Sequence, residues 1–186
     1  FVEVVPVELP GRGRRFGEPL LTSLMDMGND LFAQVKNQLQ EPYAFYGHSL
    51  GGRLTSLMAR RVLAAGLPLP LHIFVSGCPG PSVVKQRRRH ELPRNDFIAM
   101  LHRMDCPPEV LENEEVMTIF EPVLRADFEA NDTFDYVPEP PVDIPITVMI
   151  GRQEETTREE ALAWQAETTQ ELDLVEFPGG HFFLFD

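Results

Sequence analysis

One short segment constrains this chain more than any other: Tyr43-Ala-Phe-Tyr-Gly-His-Ser-Leu-Gly-Gly52. An apolar, strand-like run leads into Gly47-His48-Ser49-Leu50-Gly51, and a helical stretch rich in small residues, 50–65, leaves it. In that setting G-x-S-x-G predicts a sharp strand-to-helix turn with the serine at its apex. The turn is strained, and the glycines two before and two after Ser49 are expected to keep side chains out of it. Ser49 would then open a helix, where free amides and the helix dipole favour developing negative charge. The competing reading is a plain glycine-rich strand–helix turn.

The remaining chain alternates in the same way. Residues 2–9 are β-branched and apolar and read as a strand, followed by a basic turn at 10–15. Residues 20–39 carry Leu24, Met27, Leu31, Val35 and Leu39, the spacing of one helix face. Gly66 should stop the helix after the elbow. Residues 72–76 and 146–150 are short, fully apolar strands, 158–169 a helix and 172–177 a last strand. Such strands joined by helices predict an α/β fold, a mostly parallel sheet with helices on both faces. Residues 78–143 break the rhythm, with many prolines and helix-like pieces at 96–104, 108–111 and 114–127. That is far beyond the ~2–6 residues of an ordinary connection. It reads as a helical lid inserted into a single domain spanning 1–186.

Charge narrows the function classes. The 29 acidic residues outnumber the 16 basic ones, for a net charge of −13. That argues against binding a phosphate backbone. No apolar run approaches the ~18 residues of a membrane span. Cys78 and Cys106 form neither a disulfide framework nor a metal spacing. Nothing resembles a signal peptide, so a reducing, cytoplasmic setting is expected, with no metal or redox cofactor.

A serine on an elbow needs a base and an acid, in the chain order Ser, acid, His. His181, in the tight turn Phe177-Pro-Gly-Gly-His181 after the last strand, is the candidate base. His48 is expected to point away from Ser49, His72 to be packed, and His90 and His102 to face solvent from the lid. The acid should follow the strand at 146–150, but Gly151-Arg-Gln-Glu-Glu-Thr-Thr-Arg158 holds no aspartate. Glu154 or Glu155 must serve, or both are simply first-turn acids of the next helix. In the lid, Phe97, Met100, Leu101 and Met104 fall at helical spacing. That face either lines a substrate pocket or packs on the sheet.

These motifs together resemble the type II thioesterases of nonribosomal peptide and polyketide assembly lines, in the α/β-hydrolase superfamily. The resemblance covers nearly the whole chain. It is carried by Leu9-Pro-Gly-Arg-Gly-Arg-Arg-Phe16, the elbow, Phe74-Val-Ser-Gly77, Leu124-Arg-Ala-Asp-Phe128, Trp164 and Pro178-Gly-Gly-His-Phe-Phe-Leu184. It implies hydrolysis of acyl thioesters from the phosphopantetheine arms of carrier proteins, a proofreading activity in antibiotic biosynthesis. It makes Ser49 the nucleophile, His181 the base and the Leu50 amide an oxyanion donor. Counting back from Trp164, it puts Glu154 where the family carries an aspartate. Asp127 falls in the lid motif and reads as structural. Carrier proteins are usually acidic, so Lys85-Gln-Arg-Arg-Arg89 and Arg12, Arg14 and Arg15 are docking candidates, or else solvated charge. Family members also place a central strand and the loop giving the second oxyanion donor upstream of residues 2–9. The resemblance therefore implies a natural protein longer at the N-terminus, with a further helix at the C-terminus. Alternative readings are a carboxylesterase or lipase on small esters, or a catalytically impaired binding module.

Overall fold

A computed structural model describes residues 2–40, 42–85 and 87–185. Four strands form one sheet: β1 (Phe45–His48), β2 (Ile73–Ser76), β3 (Ile146–Gly151) and β4 (Asp173–Phe177). Their order in space is their order in the chain, and every pairing is parallel. The elements arise where local chemistry allows. Helix α1 (Leu24–Val35) starts at Ser23, whose hydroxyl accepts from the Asp26 amide. Helix α2 (Leu50–Ala64) runs up to Gly66, which takes φ +64°. Past the lid, α6 (Arg158–Leu162) opens on a reciprocal capping box between Thr157 and Glu160. It then tightens into a 3-10 turn, Ala163–Glu167, where the expected single helix would have continued.

The expected face of α1 is the buried one: Leu24, Met27, Leu31, Val35 and Leu39 pack with Leu54, Leu57, Met58 and Val62 beneath α2. A second core joins Ile73, Val75, Ile146, Val148 and Ile150 to Ala59, Ala161 and Trp164. Burying each such aliphatic side chain contributes roughly 1.5–3 kcal/mol. The Trp164 indole also donates to the Cys78 carbonyl at 3.0 Å, tying the start of the lid to the sheet.

One expectation needs correction. Residues 2–9 form no strand: Val2, Val4, Val5 and Val7 are exposed and only Leu9 is buried. Pro6 has no amide to donate to a ladder, and β1 gains no neighbour beyond β2 among the described residues. The described helices α2 and α6 cover the sheet face of Ile73 and Val75, whereas Tyr46 and Phe74 on the other face are 55% and 36% exposed. Phe74 is stacked by His72, with ring centroids 4.2 Å apart.

The lid is built from α3 (Arg94–Arg103), α4 (Pro108–Leu111) and α5 (Glu114–Asp132). Helix α5 passes through Pro122 and extends beyond the expected end at 127. The lid has its own core of Phe97, Met100, Leu101, Leu111 and Met117. Charge binds it as well. Arg94 reaches Glu114 and Glu121, Arg125 reaches Glu121, and the Arg125 guanidinium lies 4.2 Å from the Phe97 ring centre.

Candidate active site

Ser49 sits at the C-terminal end of β1, as the residue capping the N-terminus of α2, with φ 54° and ψ −115°. A non-glycine residue at positive φ is strained, and the surroundings must hold it there. Its amide donates to the Ser76 carbonyl at 2.8 Å, fixing the turn to the end of β2. Gly47 is required: a Cβ there would overlap the Gly51 carbonyl. The other glycine need falls one residue later than the motif suggests. A Cβ on Gly51 would meet nothing within 4 Å, whereas one on Gly52 would come within 2.8 Å of Cys78 and 2.9 Å of Val75. Gly52 is thus the residue that lets α2 lie close on β2.

The loops after β3 and β4 meet beside this turn. His181 Nδ1 donates to Glu154 Oε2 at 3.0 Å, and the Glu154 side chain is fully buried. The other carboxylate oxygen, Oε1, accepts from the Gly151 amide at 2.8 Å. This folds the glutamate back on its own turn and absorbs its extra methylene. The loops touch so closely that a Cβ on Gly151 would overlap the Gly180 carbonyl. Further bonds lock them: Gln153 N–H to Gly179 O at 3.0 Å, and Gly179 N–H to Gln153 Oε1 at 3.1 Å. Glu155 points elsewhere, to Arg87 at 2.9 Å, and that ion pair holds its carboxyl below the usual range.

Ser49, Leu50, Glu154, Glu155 and His181 all line one cleft of about 130 Å³. With Nδ1 held by Glu154, the other nitrogen of His181, Nε2, is left for the cleft that Ser49 lines. The Leu50 amide, at the first position of α2, belongs to the set a helix leaves without internal partners. The lid residues divide. Met104 lines the cleft, whereas Phe97, Met100 and Leu101 are buried in the lid's own core and do not. Helical spacing marks an apolar face without saying what it faces.

Sequence reasoning missed the part played by His48. Its ring lies 4.8 Å from that of His181 and 5.7 Å from that of Phe182, and its Nδ1 bonds Ser76 Oγ at 2.9 Å. Burial, then the neighbouring His181, push its pKa down to about 4. A neutral imidazole beside His181 adds bulk without competing charge. Gly77, at φ +57°, makes room for both rings: a Cβ there would meet His48 at 2.8 Å and His181 at 3.1 Å. Only the tertiary fold reveals this neighbourhood. His90 also departs from expectation, since its side chain is only 15% exposed.

The docking cations are mostly occupied. Arg12 makes a two-pronged pair with Asp127, at 2.8 and 2.9 Å, so the loop before α1 clasps α5. Arg15 is held by Glu18 and Asp30, Lys85 by Glu160, Arg88 by Glu91 and Arg89 by Asp132. Arg14 is exposed beside Glu8, and Gln86 lies outside the described residues. Asp127 is structural, as its place in the lid motif suggests. No group of three or more His, Cys, Asp or Glu side chains that could hold a metal occurs among the described residues.

A parallel sheet with a serine on a strand–helix elbow, and a glutamate bonded to a histidine on the loops after the last two strands, fits the α/β-hydrolase class. The chain belongs to the thioesterase family, whose thioesterase-domain model matches residues 1–186. It is 34% identical to the gramicidin S biosynthesis protein GrsT of Aneurinibacillus migulanus, over all of this chain and 73% of that protein. RedJ, a thioesterase of the prodiginine pathway in Streptomyces coelicolor, superposes with a TM-score of 0.89 at 31% identity, covering 97% of this chain and 72% of that one. The type II thioesterase BorB from the borrelidin cluster gives 0.87 at 32% identity, covering 96% and 74%. The chain is accordingly a hydrolase of thioesters, of the type II class.

Proposed function

We propose that this type II thioesterase clears acyl groups from the phosphopantetheine arms of carrier proteins in nonribosomal peptide or polyketide synthesis. Ser49, His181 and Glu154 form its triad. The observation that carries the triad is the buried Glu154 carboxylate bonded to His181 Nδ1, on the same cleft as Ser49. His181 Nε2 takes the Ser49 proton as Oγ attacks the thioester carbonyl. The Leu50 amide stabilises the oxyanion. The C–S bond breaks, and the proton passes to the departing pantetheine thiolate. Water, deprotonated by His181, then adds to the acyl-serine and releases the carboxylic acid and Ser49. Glu154 keeps the imidazole oriented and stabilises its charged form. The similarity to GrsT and BorB supports a carrier-bound substrate. Residues 78–143 act as the lid of one domain spanning 1–186, and the free thiols Cys78 and Cys106 fit a reducing cytoplasm. No helix among the described residues is long and apolar enough to cross a membrane.

The test compares turnover of an acyl-carrier thioester with that of a simple ester of the same acyl group. A clear preference for the carrier thioester is expected, and preference for the ester would favour the esterase reading. A fluorophosphonate should label wild-type protein at Ser49; no labelling would point to a binding module.

A further inference from the structure

Two guanidiniums near the cleft floor, those of Arg53 and Arg89, lie near a single carboxylate, that of Asp132. Arg53, one turn after Ser49 on α2, is only 8% exposed and lines the cleft. Side chains on a helix tilt towards its N-terminus, which here carries Ser49. Arg53 makes two long hydrogen bonds, to the Pro81 carbonyl at 3.4 Å and the Val83 carbonyl at 3.2 Å, and no ion pair among the described residues. Asp132 acts on Arg53 only through space, because Arg89 engages both of its oxygens. The neighbouring Cys78 thiol, pushed by burial up to about 12, supplies no negative charge at neutral pH. Overall the cleft is lined by five Arg and Lys side chains and four Asp and Glu, in a chain of net charge −13. Arg103 and Glu155 are exposed and mark the rim, whereas Arg53, Cys78 and Thr156 are buried and mark the floor.

A buried cation without a counter-charge is costly. Two peptide carbonyls hold Arg53 in place without neutralising it. We propose that Arg53 forms an anion subsite for the acyl group, selecting short acyl chains that end in a carboxylate. The guanidinium suits that partner, since its fork matches a carboxylate in a two-pronged pair. Burial lowers the affinity of Arg53 for its proton, a strain that an arriving anion would relieve. The position on the floor assigns the anion to the acyl end of the substrate rather than to the pantetheine phosphate, which must stay near the rim. This rests on Ser49 being the residue that is acylated.

The test uses malonyl- and butyryl-pantetheine, of similar shape and opposite polarity at the tip. Wild-type protein should favour malonyl in kcat/KM by about 10–100-fold, the worth of a charge-assisted pair. Arg53→Met should reduce the malonyl-to-butyryl ratio by at least about tenfold, and Arg53→Lys should restore part of it. A ratio at or below unity in the wild type, or one unmoved by Arg53→Met, overturns the subsite. A measurement on wild-type protein alone guards against misfolding of the variant. Free malonate, but not neutral butyramide, should slow fluorophosphonate labelling of Ser49, and equal effects of the two count against the proposal. Butyryl turnover with no malonyl preference defeats only the subsite, whereas no turnover of either thioester defeats the thioesterase reading and the subsite with it.

Discussion

The end of the sheet that carries the site and the lid above it are held together by different forces. At the sheet end, precision comes from backbone in contact with backbone. Gly47, Gly52 and Gly151 each occupy a place where a single added carbon would meet a carbonyl, a strand or another loop. Few of the contacts there depend on charge, and the Glu154–His181 pair is buried among them. The lid has a small apolar core and a set of ion pairs, from Arg12–Asp127 to Arg94–Glu121. The contrast assigns rigidity to the sheet end and salt-sensitive adjustability to the lid. Exposed ion pairs are each worth only about 0–1 kcal/mol and are screened by salt.

The comparison breaks first at Ser49. Ser49→Ala should lower kcat by about 10⁴-fold or more while leaving the melting temperature nearly unchanged. Retained activity in a folded variant would remove the mechanism. Glu154→Gln keeps the shape and removes the charge facing His181. A loss of ~10²–10³-fold is expected, smaller than the ~10⁴-fold of an aspartate-to-asparagine change in a triad, with Glu155→Gln costing less than about tenfold. If Glu155→Gln is the more damaging, the buried and exposed glutamates have been assigned the wrong roles.

Gly151→Ala tests whether the sheet end is rigid. The new methyl must push the acid loop from the histidine loop, costing about 1–3 kcal/mol in denaturant unfolding. Turnover should fall by up to ~10²-fold through misplacement of Glu154 and His181. Unchanged kinetics would show that these loops adjust freely, contrary to the contrast. The lid is tested through Arg12 and Asp127 in a double-mutant cycle with Arg12→Ala and Asp127→Asn. A coupling of about 1 kcal/mol is expected, shrinking in high salt. A salt-independent coupling would place this clasp with the rigid parts.

The last prediction concerns acid. His48 faces Ser76, His181 and Phe182, and its pKa falls from 6.5 to about 4 in the folded chain. Between those values the unfolded chain binds the extra proton, so this contribution is full above pH 6.5 and is lost as pH falls towards 4. Melting curves across that window should show a shallower acid slope for His48→Gln than for wild type. Identical slopes would assign the acid sensitivity to other groups.

Much of the candidate site was legible in the sequence because its signals are local. The elbow needs glycine and serine at fixed spacing. The buried stripe of α1 follows from a 3.6-residue period, and His181 follows from a glycine turn after the last strand. Glu154 could be narrowed by loop position and by the resemblance, but its choice over Glu155 rests on which carboxylate turns inward. That depends on the Gly151 amide and on the meeting of two loops 27 residues apart in the chain. Residues 2–9 failed as a strand because β-branched composition shows tolerance for a ladder, whereas a ladder also requires a neighbouring strand and amides to donate. Phe97, Met100 and Leu101 failed as pocket residues for a similar reason, since periodicity gives a buried face but not its partner. The sequence by itself determined the turn chemistry, the helix faces and the order of serine, acid and histidine, all set by covalent spacing and backbone sterics. Only the tertiary structure decided which charges were neutralised: among the described residues Arg12, Arg15 and Arg89 found carboxylates and Arg53 did not, because pairing depends on distances across the fold.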